Sequence, residues 1–554
     1  MAGTLSSPAN GTDAVQLVER LTQIGIALSQ EKNKDRVLEK ILLEAKSIAN
    51  ADGGTLYFMD EAHELLHYAI VRTDSLNIAY GGHKQPAPEF KPIHLYDEVT
   101  GEPNYGTQVV HAILHRKPVN IPDVYDADGF DFEGTKKFDD AFSYRTKSVL
   151  TIPMISHRNQ AIGCLQLINA QDTATDEVVA FSQNVQMLVQ SLASQAAVIV
   201  DNKRLIAEQE ALLESFIKVI AQAIDAKSPY TGGHCVRVPQ LTEMIAAAAC
   251  TATDGYMADF DLNEEEQYEL HIAGWLHDCG KVVTPVHIMD KATKLETIYD
   301  RIDEVRARFE VLRKQARIAY LEECAEEGAD KAALNAAYEA QIAELEDDEA
   351  FVVNANIGGE FMDDEDIARL ETLGARTWPY KGEERPLLSK EEIYNLSTRR
   401  GTITAEERQI MNDHMVHTVN MLEAMPWPKH LRRVPEYACG HHEKMDGTGY
   451  PKGVLAGTMS IPARMMAVAD VFEALTASDR PYKKAKALSE AMKIIGIFKE
   501  NNHLDPEIVD FFVTSKVYLD YAKQFLSPEL IDEVDEQAIL NIVPKPMETK
   551  KPIS

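Results

Sequence analysis

Two short runs carry most of this sequence's capacity for chemistry. His441-His442-Glu443-Lys444-Met445-Asp446-Gly447-Thr448-Gly449-Tyr450-Pro451 sets two adjacent imidazoles and a carboxylate before a glycine-punctuated turn. Well upstream stands His277-Asp278, followed by Gly280-Lys281. His and Asp are the ligand types of a hydrolytic divalent-metal site. Seven candidates sit in the C-terminal part: His234, His277, Asp278, His414, His441, His442 and Asp470. Imidazole and carboxylate donors suit iron, manganese, zinc or similar ions. A carboxylate has two oxygens and can bridge ions ~3.5–4 Å apart, which makes Asp278 the candidate bridge.

Taken singly, several of these residues have plainer readings. His234, in Gly232-Gly233-His234-Cys235, reads equally as a loop or helix-cap histidine, and His414 as a surface helical residue. His271, His287 and His417 read as structural or surface side chains. Asp470 differs, because it interrupts the apolar run Val468-Ala469-Asp470-Val471-Phe472. A carboxylate buried there without a partner would be costly.

The elements that must position these residues emerge from periodicity. Val15 to Ala49 reads as two helices, and Gly54–Met59, Leu65–Val71, Ser148–Ile155 and Ala161–Ile168 read as strands around a long irregular middle from Gly81 to Tyr144. This is the pattern of an α+β module. Phe181 to Ile224 lacks Gly and Pro and reads as one long connector helix. Its apolar positions Leu188, Leu192, Ile199, Ile206, Leu213, Phe216 and Ile220 are buried either by a second copy, giving a parallel dimer, or by the chain's own domains. The rest is all-helical in pattern. Ile302, Val305, Phe309, Leu312, Ala316 and Ala319, then Leu334, Tyr338, Ile342 and Leu345, predict an antiparallel helical hairpin turning at Glu327-Gly328-Ala329. The acidic run Glu346-Asp347-Asp348-Glu349 is expected to open into a less regular segment reaching Arg400.

At 554 residues, two or three domains are expected. The formal charge of −32 argues against a general nucleic-acid coat or an anionic membrane surface. A small anionic substrate stays open, because metal ions and a few lysines reverse the field locally. The 6 cysteines show no CxxC pair and read as reduced thiols of a cytoplasmic protein. The opening residues lack the basic start and apolar run of a secretory leader. No run approaches the ~18–20 apolar residues of a membrane span.

The two metal-type motifs, with Asp225–Val238 (DAKSPYTGGHCVRV), Thr404–His414 and Arg464–Tyr482 (RMMAVADVFEALTASDRPY), resemble the HD-GYP phosphodiesterases, bacterial members of the HD metallohydrolase superfamily that open cyclic dinucleotides. The resemblance runs from about Ile217 to Phe512. It implies one ion held by His234, His277, Asp278 and Asp470, and another held by Asp278, His414, His441 and His442, with Fe or Mn favoured. It implies Asp278 and Lys281 as catalytic residues, and Lys281, Arg480 and Lys483 as holders of substrate phosphates or guanine edges. The implied reaction is hydrolysis of cyclic di-GMP to pGpG and then GMP by metal-activated water. Hybrid cyclic GMP-AMP, or binding without turnover, are the alternatives. Some relatives carry another carboxylate near the first histidine. Tyr230 stands there, so two ions are expected. In the turn, Gly447 and Gly449 permit backbone angles closed to other residues, Tyr450 either stacks on a base or plugs the turn, and Asp446 is a candidate to orient a liganding histidine. The resemblance also implies contact with diguanylate cyclase domains through this loop.

The N-terminal part resembles a GAF domain through its paired helices, Gly54-Thr55-Leu56-Tyr57 and Thr146–Asn169. That implies a small-molecule or redox signal, although mid-strand Cys164 reads as core. The expected organisation is a disordered 1–12, a GAF-like sensory domain at 13–182, a connector helix at 183–214, an all-α HD-type domain at 215–515 with a helical insertion at about 296–401, and an extension and tail at 516–554.

Overall fold

A computed structural model describes residues 11–547 except 32, 61, 87, 228–232, 360 and 478–484. The chain divides into two compact units, Met1–Leu212 and Leu213–Ser554.

In the first unit, alternating side chains build apolar cores on both faces of one antiparallel sheet. Strands run in the order Ile78–Tyr80, Leu65–Thr73, Ala51–Met59, Ala161–Gln171, Val149–Ile155, Val119–Ile121. Register pairs Leu56 with Leu165 and Tyr57 with Cys164. Successive residues point to opposite faces. Leu56, Leu165, Ile152 and Ile70 therefore pack beneath the helices Gly11–Gln30, Lys34–Ala49 and the start of Gln183–Lys227. Tyr57 and Cys164 join Leu66, Val109 and Ile113 on the other face. Burial pushes the Cys164 thiol pKa up, which leaves it a core residue and a poor redox sensor. The middle expected to be irregular contains two short helices, Gln108–His115 and Glu133–Phe142. Each spans only two or three turns, too short for an apolar period to show.

The helix Gln183–Lys227 has 45 residues, and its apolar stripe is not used uniformly. Leu192 is fully buried in the first unit's core, Ile199 packs against it, and Leu213 packs on the second unit's core. Ile206, Phe216 and Ile220 are exposed, as are Leu212 and Val219.

The second unit holds the ligand-type residues on, or just past the ends of, five elements around one apolar core: His234–Cys250, Glu264–Leu276, Ala405–Glu423, Val434–Cys439 and Ile461–Thr476. Local chemistry fixes where two of them start. Asn263 with Glu266, and Thr404 with Glu407, form reciprocal capping boxes that satisfy otherwise orphaned backbone N–H groups.

The segment between Leu295 and Leu396 builds a separate core from Leu295, Phe309, Leu345, Val352, Leu370 and Leu387. The helical hairpin is Ile302–Ala325 and Lys331–Ile357, turning through Gly328 at φ 87°. The acidic run does not end the second helix. Asp348 is buried and pairs with Arg369 at 2.9 Å and Arg376 at 3.0 Å, while Glu349 meets Arg313 at 2.5 Å. These partners neutralise the run across the fold and keep it helical to Ile357. The chain beyond Ile357 is regular too, with helix Asp364–Ala375, a hairpin of Thr377–Tyr380 with Glu383–Pro386, and helix Lys390–Leu396. The segment's ends meet. Thr402 Oγ1 donates to Lys291 O at 2.8 Å, and buried Lys294 donates through Nζ to Leu396 O at 2.8 Å. Lys291 Nζ meets both Glu407 carboxylate oxygens at 2.8 Å.

No helix among the described residues is long and apolar enough to cross a membrane.

Candidate metal centre

Asp278 sits where the helix Glu264–Leu276 gives way to the tight turn Cys279–Val282. Only glycine fits two residues later. A Cβ on Gly280 would lie 1.9 Å from the carbonyl oxygen of His414, so its absence lets the turn press against the helix Ala405–Glu423. Gly280 N–H donates to Thr418 Oγ1 at 3.0 Å, and that hydroxyl donates to His414 O. From the other side, Lys227 Nζ donates to the carbonyls of Lys281 at 3.1 Å and of Val282 and Thr284 at 2.5 Å. The turn is thus held on both flanks.

All seven sequence candidates converge on this turn in two groups, one of Asp278, His414, His441 and His442, the other of His234, His277, Asp278 and Asp470. Within each group the donor atoms lie within 4.8 Å of one another. Asp278 belongs to both through different oxygens. Its Oδ2 is 3.2 Å from His234 Nε2 and 3.2 Å from His277 Nε2. Its Oδ1 is 3.3 Å from His414 Nε2 and 3.9 Å from His441 Nε2. Asp470 Oδ1 stands 3.3 Å from His234 Nε2.

The backbone sets the tautomers. His277, His414 and His441 each place Nδ1 against the carbonyl three residues earlier, at 2.7 Å from Gly274, 2.5 Å from Met411 and 2.6 Å from Ala438. A carbonyl only accepts, so each Nδ1 carries the proton and each Nε2 keeps a lone pair aimed inward. Those three Nε2 atoms and Asp278 Oδ1 are buried with no hydrogen-bond partner among the described residues. Four orphaned buried acceptors in one place are costly unless a cation satisfies them. The donor set fits divalent ions.

The electrostatics are those of a cation site. Burial pushes the Asp278 pKa up, but Lys281, His277 and His234 outweigh it and hold the carboxyl well below its usual range. Asp470 is likewise held low against burial by His234. Burial pushes His441 well down, and His442 to about 4, keeping both neutral. His234 is the exception. Burial lowers its pKa, but Glu473, Asp278 and Asp470 outweigh this and raise it well above 6.5. The negative field that would draw a proton there is the field that would draw a metal ion.

Glu473 is a participant that the sequence motifs do not include. It is buried, its Oε2 lies 2.5 Å from His234 Nδ1, and its Oε1 accepts from Arg237 Nε at 2.7 Å. Burial raises its pKa, yet His234 and Arg237 bring it down to about 2. It fixes the tautomer of His234 as the carbonyls fix the others. The signal that marks Asp470 applies to it as well, since it is a carboxylate in the same apolar helix, Ile461–Thr476.

The turn after His442 is held by Glu443, whose buried carboxylate accepts from the N–H groups of Lys452 at 2.8 Å, Gly453 at 3.2 Å and Val454 at 3.1 Å. Gly447 has φ 75°, as expected for a left-handed position. Gly449 is needed for space instead, because a Cβ there would meet Lys444 N at 2.3 Å. Tyr450 stacks on His442, with ring centroids 4.8 Å apart. Asp446 orients no histidine in the described contacts. Its carboxylate accepts from the N–H and hydroxyl of Thr448, because a short carboxylate at a turn is captured by the turn's own donors. Lys281 places its ammonium on Asp278 Oδ2. Tyr230, Arg480 and Lys483 lie outside the described residues.

Comparison with known proteins supplies two domain classes. Residues 33–200 match the GAF domain and residues 390–508 match the HD domain. The chain thus joins a GAF domain to an HD domain. The HD match contains His414, His441, His442 and Asp470, and the other three candidates precede it. Among similar proteins, a 3'3'-cGAMP-specific phosphodiesterase of Vibrio cholerae is 41% identical over 80 residues, covering 14% of this chain and 18% of the relative. A cyclic di-GMP phosphodiesterase of Pseudomonas aeruginosa is 48% identical over 73 residues, covering 13% and 17%. A cyclic di-GMP phosphodiesterase of Thermotoga maritima is 37% identical over 113 residues, covering 20% and 30%. In each case the match spans less than a third of the relative's length.

Proposed function

We propose that the helical unit is a metal-dependent phosphodiesterase that hydrolyses cyclic di-GMP to pGpG and GMP, under control of the GAF domain. The observation that carries this is the shared carboxylate: the two oxygens of Asp278 face two groups in which the Nε2 lone pairs of His277, His414 and His441 have no hydrogen-bond partner among the described residues. Two divalent ions, iron or manganese, fit that arrangement. When bound, such a pair activates water and polarises phosphoryl oxygens.

The chain's own residues do the rest. His234, His277 and Asp470 would hold one ion and His414, His441 and His442 the other, with Asp278 spanning both. Glu473 and the three carbonyls keep the imidazoles of His234, His277, His414 and His441 in the ligating tautomer. Lys281 brings a positive charge to the edge of the site. Burial lowers its pKa, but Asp278 and Asp470 outweigh this and raise it, so it stays charged and can offset charge on a bound phosphate. Tyr450, stacked on His442, presents a ring against which a base can lie.

The test is product analysis with purified protein loaded with Mn(II) or Fe(II). Conversion of cyclic di-GMP to pGpG is expected. No turnover of any cyclic dinucleotide with either metal would refute the enzyme. The similarity to a cGAMP-specific enzyme makes hybrid cyclic GMP-AMP the second reading, and the same assay run with both substrates decides between them.

Two further readings accompany this one. The exposed Ile206, Leu212, Phe216, Val219 and Ile220 fit a second copy of the same helix, giving a dimer. The GAF domain takes a small ligand as its signal.

A further inference from the structure

A cleft of about 460 Å³ lies where the last helix of the inserted segment, Lys390–Leu396, hands over to the helix that bears His414. Its walls include Tyr394, Ser397, Arg399, Arg400, Arg408 and Asn412, and no Asp or Glu lines it. The chain carries 88 acidic residues against 56 basic ones, so three guanidinium groups around one hollow reverse the prevailing sign. The cleft is separate from the metal centre. At about 3.6 residues per turn, Arg408 and Asn412 point roughly 120–160° around the helix from His414. None of the seven residues of the centre lines it.

Like charges gathered around a hollow repel one another unless something neutralises them, and the protein does so for only one of the three. Arg399 is paired with Asp364. Arg400 lies 5.7 Å over the ring of Phe361, a contact that steadies the guanidinium and leaves its N–H edge unspent. Neither Arg400 nor Arg408 has a carboxylate partner among the described residues. The acids next in sequence are engaged elsewhere. Glu406 accepts from Tyr394 Oη at 2.7 Å, and Glu407 takes Lys291 Nζ at 2.8 Å.

Uncharged groups of the wall favour an anion as well. Ser397 Oγ is shielded from solvent and has no hydrogen-bond partner among the described residues. Ala405, the first residue of the helix Ala405–Glu423, also lines the cleft. First-turn N–H groups lack intrahelical acceptors and carry the positive end of the helix dipole.

We propose that this cleft is a second ligand site, for a phosphate-bearing small molecule, with Arg400 and Arg408 on the phosphate oxygens and Ser397 donating to the same group. A guanidinium meets two phosphate oxygens with a planar pair of N–H donors, so phosphate is the anion that this wall suits best. The half-exposed ring of Tyr394 offers a face to an attached base. Bound there, the molecule ties the exit of the inserted segment to the helix that bears His414. The site goes beyond the phosphodiesterase reading and does not depend on it, since it needs no turnover and uses none of the centre's residues.

The test is isothermal titration of the full-length protein with inorganic pyrophosphate and with GDP, which carries the same two phosphates on a nucleoside. It is run at an ionic strength of about 0.15 M, on Mn-loaded protein and on protein stripped with EDTA and dialysed. One equivalent of pyrophosphate that still binds after the manganese is removed is expected. The Arg400→Ala/Arg408→Ala double variant should bind it about tenfold or more weakly. Lysine at both positions keeps the charge without the fork and should restore only part of the affinity. Tighter binding of GDP than of pyrophosphate would support the site with a nucleotide as its ligand, and equal binding would support it with the phosphates alone. Binding that vanishes with the manganese would assign the anion to the metal centre and overturn the proposal. Absence of binding, or equal affinity in wild type and double variant, would also overturn it. Circular dichroism of the variant and of the stripped protein separates weakened binding from misfolding.

Discussion

At the scale of single residues, the centre depends on partners that ligate nothing. Glu473 touches His234 through the ring nitrogen that faces away from Asp278. Glu473→Gln should lower metal affinity roughly 10–100-fold while the fold persists, measured by competition with a chelator. An unaltered affinity would make Glu473 a core ion pair with Arg237 and nothing more. A second prediction concerns His503, stacked on Phe498 and pushed down to about 4 by burial and by Lys444. Unfolded, it titrates near 6.5. Between those values the unfolded chain takes up a proton that the folded chain refuses. Its contribution to stability is therefore complete above pH 6.5 and is lost as pH falls toward 4. Comparing stabilities from urea unfolding at pH 7 and pH 5, His503→Gln should lose less stability than wild type, by up to about 2 kcal/mol. The seven side chains that converge are legible in the sequence because His-Asp and His-His pairs are rare and chemically distinctive. Glu473 falls under the rule that flags Asp470, but no motif draws the eye to it. Glu443 reads only as a carboxylate, because its partners are backbone N–H groups further along the chain.

At the scale of elements, long helices and long strands announce themselves by period, and short helices between them do not. The acidic run from Glu346 to Glu349 shows why local reading fails. Four consecutive carboxylates look solvated until Arg313, Arg369 and Arg376 arrive from distant positions. Asp348→Ala should destabilise the inserted segment by about 1–2 kcal/mol, since Arg369 and Arg376 lose their shared buried partner and keep only the exposed Asp347 and Glu344. A shift of the denaturation midpoint smaller than that of an exposed control such as Asp347→Ala would contradict this. Lys227 makes the complementary case. It satisfies three carbonyls of the turn that comes after Asp278. If the proposed function holds, Lys227→Met should lower kcat several-fold with KM nearly constant, because the turn would carry Asp278 and Lys281. Lys227→Arg should restore part of the rate. A change confined to thermal stability would assign it a purely structural role.

At the scale of the whole molecule, the order of an α+β part before an all-helical part is readable from the sequence. How the apolar stripe of the long helix is divided is not. Leu192 and Leu213 are claimed by the cores at either end, which leaves a short exposed stretch centred between Ile206 and Ile220. Ile206→Glu with Phe216→Glu should shift sedimentation toward the monomer without altering the melting of either domain. A chain that is monomeric before substitution would end the dimer reading.

The inserted segment has one property beyond its own core. Thr402 and Lys291, at its exit and entrance, are hydrogen-bonded neighbours, and Lys294 reaches across to Leu396. A module that leaves through the doorway by which it entered places no demand on the length or direction of its host. A trimmed protein with a few glycines bridging the gap should keep its metals, because the segment's core contains none of the ligand residues.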